Sequence, residues 1–262
     1  MATDPIDQIL KEMDAIVDWS IAYESRAGYF AALYRRVTRT IRERIGTGYF
    51  DDDQRMETLD VTFATRYLTA FKQWQSSDPA ISACWKVAFD AVAESDMIIL
   101  QDLMAGMNAH IDYDLGIASA QVAGSMEGLR SLHGDFDKIN TLLACLVPTV
   151  FSEIGELSPL IHLIEDFGES DEETLVDKMM DVARDFAWLF ANELVVLKDL
   201  PDLQKDLMNL KDREVSWLGQ GIVQPGGSME KILHVIWLAE SKDVAENIEA
   251  LAAPATLPAN CG

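Results

Sequence analysis

The residues of this chain best placed to do chemistry lie in the stretch GMNAHIDYDLG, residues 106–116. There Asn108, His110, Asp112 and Asp114 interrupt an otherwise apolar run. His110 and Asp114 are four residues apart, and four residues advance an α-helix by about 400°, so their side chains leave one face about 40° apart. Leu103, Met107 and Ile117 share that face, which turns the pair inward. A buried carboxylate protonates, pairs or binds a cation. A histidine beside it is then a metal ligand, or an acid–base group that the carboxylate orients. Asp112 is about 200° round from His110 and is expected at the periphery.

A second cluster follows, His133-Gly134-Asp135-Phe136-Asp137, with Asn140 behind it. Asp135 or Asp137 has the place of an N-cap for a helix over 135–152, but capping does not account for His133. If that helix folds back on the preceding one, His133 and Asp135 reach His110 and Asp114. Three or four N/O donors from adjacent helices would then hold a divalent metal (Zn, Fe or Mn) in a helical bundle. The expected catalytic residues are therefore His110, Asp114 and His133, and the expected metal ligands His110, Asp114, His133 and Asp135. Glu57, Asp60, Arg66, Asn108 and Asn140 are further candidates. Glu57 and Asp60, three apart, could add carboxylates from a third helix, although such an acidic pair is more often a solvated face. His162 and His234 fall in apolar stripes and read as structural. Arg184 and Trp188, four apart, read as a stack on a helix surface.

The elements that must position these groups are helical throughout. Apolar residues recur at i, i+3 and i+4 over 5–25 and 28–45, with Gly46 and Gly48 ending the second helix. Asp51, Asp52 and Asp53 open a third, striped by Met56, Leu59, Phe63, Tyr67, Ala70 and Trp74. Ser77-Asp78-Pro79 opens another that runs through Trp85 and Phe89. A long helix over 96–123 carries the 106–116 stretch. Helices over 135–152, 158–167, 172–198, 202–220 and 227–251 follow, punctuated by Pro148, Pro159, Pro201 and Pro225. No alternating strand pattern, internal repeat, phosphate-binding glycine loop or nucleophile elbow is present. The fold class is all-α: a single compact bundle of nine or ten helices over 1–252, with 253–262 a disordered tail.

With 21 basic and 44 acidic side chains, the formal net charge is −23, which repels phosphate backbones and anionic lipid and argues against nucleic-acid and membrane partners. No segment has the roughly 20 consecutive apolar residues a membrane span needs. The acidic N-terminus lacks the pattern of a secretory leader. Cys84, Cys145 and Cys261 are few and widely spaced, Cys84 and Cys145 reading as small core residues. The expected location is the cytoplasm.

The segments FDDDQRMETLDVTFATRYLTAF, LMAGMNAHIDYDLGIA and HGDFDKIN resemble the bacterial and fungal proteins of domain-of-unknown-function family 5995. Those carry A-G-M-N-A-H-I-N-x-D-L followed by H-x-D-[YF]-x-x-[VI]-N. Asn108, His110, Asp114, His133, Asp135 and Asn140 fall on the pattern, and Asp112 replaces its usual Asn. The resemblance spans roughly residues 25–240 and implies a helical domain. It supplies no substrate.

Three functional readings follow. The first is a metal-dependent enzyme acting on a small apolar metabolite, with a metal at His110, Asp114, His133 and Asp135 activating water or oxygen or acting as a Lewis acid. The second is a metal-free isomerase or cyclase of specialised metabolism, with His110 oriented by Asp114 as acid or base. The third is a non-catalytic binding or scaffold protein in which both clusters are hydrogen-bond networks. No nucleotide-cofactor motif is present.

Overall fold

The computed structural model describes residues 4–94, 96–164 and 172–254, and of 172–179 the backbone only. Among the described residues there are ten helices and no strand, counting the continuous run 99–123 once. They are α1 (Pro5–Ala22), α2 (Ala27–Arg44), α3 (Asp53–Gln75), α4 (Ala83–Ala91), α5 (Ile99–Met107) continuing through a π-helical segment (Asn108–Leu115) into α6 (Gly116–Ala123), α7 (Met126–Leu157), α8 (Glu172–Val196), α9 (Pro201–Val223), α10 (Gly227–Ala239) and α11 (Val244–Ala252). Most of the tail expectation, 255–262, and part of the expected 158–167 helix lie outside the described residues. Among the described residues no helix is long and apolar enough to cross a membrane.

The run 99–123 is the axis of the bundle. It packs against α2, α3, α4, α7, α8 and α9, as expected of a helix that is apolar on nearly every side. Its small residues set how close those neighbours come. Ala105, Ala109 and Ala118 are fully buried. A Cβ added to Gly106 would lie 2.5 Å from the ring of Phe30 on α2, and one added to Gly116 would lie 2.8 Å from the carbonyl oxygen of Ala187 on α8. Both glycines of the 106–116 stretch are therefore spacers.

The helix starts follow local chemistry. Asp52 caps α3 by accepting the Arg55 amide at 3.0 Å, and Ser125 caps α7 by accepting the Gly128 amide at 3.0 Å. The α4 start is capped at long range, by the Asp212 carboxylate of α9 on the amides of Ala83 and Cys84 at 2.8 and 2.9 Å. That helix begins beyond the Ser77-Asp78-Pro79 signal, whose Asp78 instead folds a turn through the Ala80 amide.

Two further boundaries differ from expectation. The helix expected over 135–152 begins at Met126, because Ser125 caps it and Leu129, Leu132, Phe136 and Ile139 extend its buried stripe. His133 and Asp135 are thus inside a helix and not ahead of one. Pro148 lies within α7; the carbonyl it leaves unpaired belongs to Ala144, an exposed residue. The helix expected over 227–251 is two, broken at Glu240–Asp243, where Asp243 caps α11 through the Glu246 amide.

The spacer role of glycine separates two substitutions. Gly116→Ala forces a methyl against the α8 backbone and should lower stability by about 1–3 kcal/mol. Gly155→Ala, with no atom within 4 Å of its added methyl, should leave stability unchanged or raise it by up to about 1 kcal/mol. Denaturant unfolding of the two variants checks the contrast.

Candidate functional site

Asp114 is almost wholly buried, 1 % exposed, and its carboxylate draws three donors to one point. The Arg66 Nε of α3 donates to Oδ1 at 2.7 Å. The Trp85 Nε1 of α4 donates to Oδ2 at 2.7 Å. The His110 Nδ1, on the same π-helical segment, lies 3.4 Å from Oδ2. Acceptance from an arginine at Oδ1 and an indole at Oδ2 fixes this carboxylate as an acceptor, so the proton of a neutral His110 belongs on Nδ1. The lone pair is then on Nε2.

His110 is 2 % exposed and is held by rings. Phe63 stacks on it at 3.6 Å between centroids and 5° between planes, and Tyr34 meets it edge-on at 4.3 Å. Phe30, Tyr67 and Trp85 complete the shell at 5.8, 6.1 and 5.8 Å. Burial pushes its pKa below the ordinary 6.5, although Asp114 acts in the opposite direction, so the imidazole is neutral at physiological pH. Its Nε2 is buried with no hydrogen-bond partner in the protein.

His110 lines a cavity of about 120 Å³ enclosed by α2, α3, the 99–123 run, α7 and α8, with walls that are almost entirely apolar. That volume is near the roughly 150 Å³ of an engineered cavity that takes up benzene. The polar groups of its lining are His110, Asp60, Tyr34 and Arg184. Asp60, 4 % exposed, has its Oδ2 buried and unpartnered, and burial alone raises its pKa to about 8. The Tyr34 hydroxyl is likewise buried and unpartnered, and burial holds its pKa well above the usual phenol value. One apolar chamber therefore holds a neutral imidazole with a free lone pair and a carboxylic acid that keeps its proton at neutral pH.

The other expected residues are elsewhere. Asp135 is fully buried, but its oxygens accept the amides of Asp51 and Asp52 at 2.7 and 3.0 Å and pair with Arg55 at 3.3 Å and Lys138 at 3.1 Å. His133 is half exposed, 3.1 Å from Asp137 and edge-on to Trp188. The expected ligand set His110, Asp114, His133 and Asp135 is not brought together: Asp135 and His133 serve different partners on α7, and Asp114 is spent on Arg66 and Trp85. Among the described residues no three His, Cys, Asp or Glu side chains are grouped to hold a metal ion.

Asn108 is buried and donates to the Val215 carbonyl of α9 at 2.9 Å, a structural tie. Asn140 accepts from the Arg184 Nε. Glu57 is out beside Asp4 and Arg42, where the Asp4 contact raises its pKa. Asp112 is half buried, because α9 covers that side of the axis and brings Lys211 and Glu214 near; burial raises its pKa to about 6.

Four expectations are corrected. Asp60 is in the core and not on a solvated face, and Arg184, expected at a helix surface, is 4 % exposed. His162 and His234 are exposed rather than in the core. Cys84 is a buried free thiol, as a core residue should be, but Cys145 is only half buried. Asp60 and Arg184 each had a signal. Position 60 continues the Met56, Phe63, Tyr67 stripe and position 184 precedes the buried Ala187 and Ala191 by three and seven, so both charges stand where periodicity calls for an apolar residue.

A family model described as a family of unknown function (DUF5995) matches residues 6–225. The chain belongs to the DUF5995 family. No curated protein and no solved structure matches it. Of the DUF5995 resemblance, the 106–116 stretch now has a geometry: Gly106 and Gly116 set spacing, Asn108 ties α9, and His110 and Asp114 form the buried pair.

Asp60 also makes stability depend on pH. The folded chain keeps a proton that the unfolded chain releases above an ordinary pKa near 3.8, so stability falls as pH rises from about 4 towards 8. The slope from this group reaches at most about 1.4 kcal/mol per pH unit. Asp60→Asn should remove that slope and exceed the wild type in stability at pH 7. Denaturant unfolding of both proteins at pH 5, 6 and 7 measures the difference.

Proposed function

We propose that this protein is an acid–base catalyst of proton transfer, an isomerase or cyclase that takes a small apolar molecule into the cavity beside His110 and needs no metal there. One observation carries the reading: His110 Nε2 and Asp60 Oδ2 are both buried, both without a protein partner, and both on the wall of one apolar cavity. Burial moves them in complementary directions, towards a neutral base and a protonated acid, which is the arrangement that proton transfer at neutral pH requires. His110 Nε2 accepts a proton from substrate carbon. The imidazolium that forms keeps its Nδ1–H on the Asp114 carboxylate. Asp60 donates its proton to the oxygen or carbon where negative charge collects. Returning the proton from Nε2 to a different atom of the substrate and reprotonating Asp60 completes an isomerisation with no net gain or loss of atoms.

Arg66 and Trp85 are positioning residues. They hold Asp114, which in turn holds the tautomer of His110. The 3.4 Å separation of Nδ1 and Oδ2 is long for a hydrogen bond and leaves room for it to tighten as charge develops on the ring. The apolar walls exclude water, which strengthens every one of these interactions. The metal reading finds no such support, because its four ligands are divided between separate partner sets.

Cyclohexanone, an apolar ketone of about the cavity's size, tests the reading without knowledge of the natural substrate. In D2O the protein should speed exchange of its α-protons at least tenfold over buffer, as followed by proton NMR. His110→Gln and Asp60→Asn should each remove the acceleration. The rate should be bell-shaped in pH: it rises as His110 deprotonates below 6.5, and falls near 8 as Asp60 loses its proton. Binding of cyclohexanone with no exchange beyond the buffer rate would overturn catalysis and leave a non-catalytic small-molecule carrier.

A further inference from the structure

Among the described residues Arg184 is the one cation in the cavity wall, and the acid–base scheme does not use it. It is 4 % exposed. Its Nε donates to the Asn140 Oδ1 and one terminal nitrogen donates to the Phe136 carbonyl at 2.8 Å. Both acceptors are neutral. The guanidinium lies over the Phe136 ring at 4.3 Å, a contact that attracts a cation but does not neutralise it. The carboxylates that act on it, Asp137, Asp181 and Asp185, are on exposed residues. Their pull does not offset burial, which lowers the Arg184 pKa to about 10.

A guanidinium has five N–H donors in a planar fork that matches a carboxylate. A buried fork on an apolar wall, hydrogen-bonded to no carboxylate among the described residues, therefore has a natural complement in an anionic ligand group. We infer that the molecule this cavity receives is an amphiphile, an apolar body ending in a carboxylate that pairs with Arg184. The inference rests on the reading of the cavity as a small-molecule site and names the class of molecule.

The placement fits the proposed chemistry. Phe63 stacks on His110 and also packs against the cluster containing Phe136, over which Arg184 lies. Two rings, Phe136 and Phe63, thus lie between the cation and the base, so a ligand anchored by its carboxylate presents carbons farther along its body to His110 and Asp60. With a net charge of −23, the protein does not draw anions from a distance. Recognition depends on this single cation at short range, where burial shields it from screening.

Hexanoate and hexanamide, which share a shape and differ in charge, separate the possibilities. The full chain is titrated with each at pH 7 and followed by protein NMR, including the Arg184 Nε–H resonance. Hexanoate should bind at least tenfold more tightly and shift that resonance. Arg184→Met should cut the preference below twofold while hexanamide affinity stays within twofold of wild type, and Arg184→Lys should keep part of the preference. Equal affinities, or hexanoate binding that leaves the Arg184 resonance unmoved, would overturn the carboxylate and leave the cavity reading intact. Binding of neither compound would overturn both. If Arg184→Met does not fold, the comparison of the two ligands on the wild-type chain still decides.

Discussion

A carboxylate taken out of water destabilises a fold unless donors replace its hydration, and for Asp114 the donors come from three parts of the chain. Arg66 brings α3, Trp85 brings α4, and His110 brings the preceding turn of its own segment. Removal of any one donor leaves a buried charge short of partners, a loss that far exceeds the modest net value of the bond itself. This asymmetry fixes α3 and α4 against the axis of the bundle. It also fixes what is left over: with its Nδ1 turned to Asp114, His110 has its other nitrogen left for the cavity.

The ring shell around His110 depends on the same geometry. Phe30 comes close enough to meet the imidazole because position 106 has no side chain to hold α2 away. Phe63 lies flat on it because Arg66, three residues on, is tied to Asp114. A shell of Phe30, Tyr34, Phe63, Tyr67 and Trp85 has little to offer a charged imidazolium by way of hydrogen bonds, so it favours the neutral ring. The same apolar surroundings act on Asp60 in the opposite sense and hold its proton on. One desolvated chamber thereby makes a base and an acid out of two groups that would both be charged in water at pH 5.

Much of this was legible in the sequence. The periodicity of apolar residues gave the helices, and the four-residue spacing of His110 and Asp114 gave an inward pair whatever the width of the turn between them. Gly46, Gly48 and the Asp51–Asp53 run marked real ends. What spacing within a helix does not contain is the partner across it. Sequence favours solvent for Arg184, and for Asp60 beside its candidacy as a site residue, because most charged residues are there, although each stands on a buried stripe. Whether such a charge faces water or a cavity depends on how five helices close round it. His133 and Asp135 failed for a related reason. Their neighbourhood depends on where α7 begins, and a start at Met126 turns an apparent loop cluster into two faces of a helix.

The second cluster nevertheless bears on the first. Asp135 grips the backbone amides of Asp51 and Asp52, at the entrance to α3, and is supported by Arg55 one turn further in. Those contacts fix α3 along its axis relative to α7. Asp60, Phe63 and Arg66 all ride on α3: the acid, the ring that stacks on the base, and the arginine that holds its carboxylate. A slip of α3 by one residue is about 1.5 Å of travel and 100° of rotation, enough to turn Asp60 and Phe63 off the cavity wall and Arg66 away from Asp114. The two His/Asp clusters therefore belong to one device, although they share no ligand. The buried Asp135 sets the register of the helix on which the chemistry proposed at His110 depends.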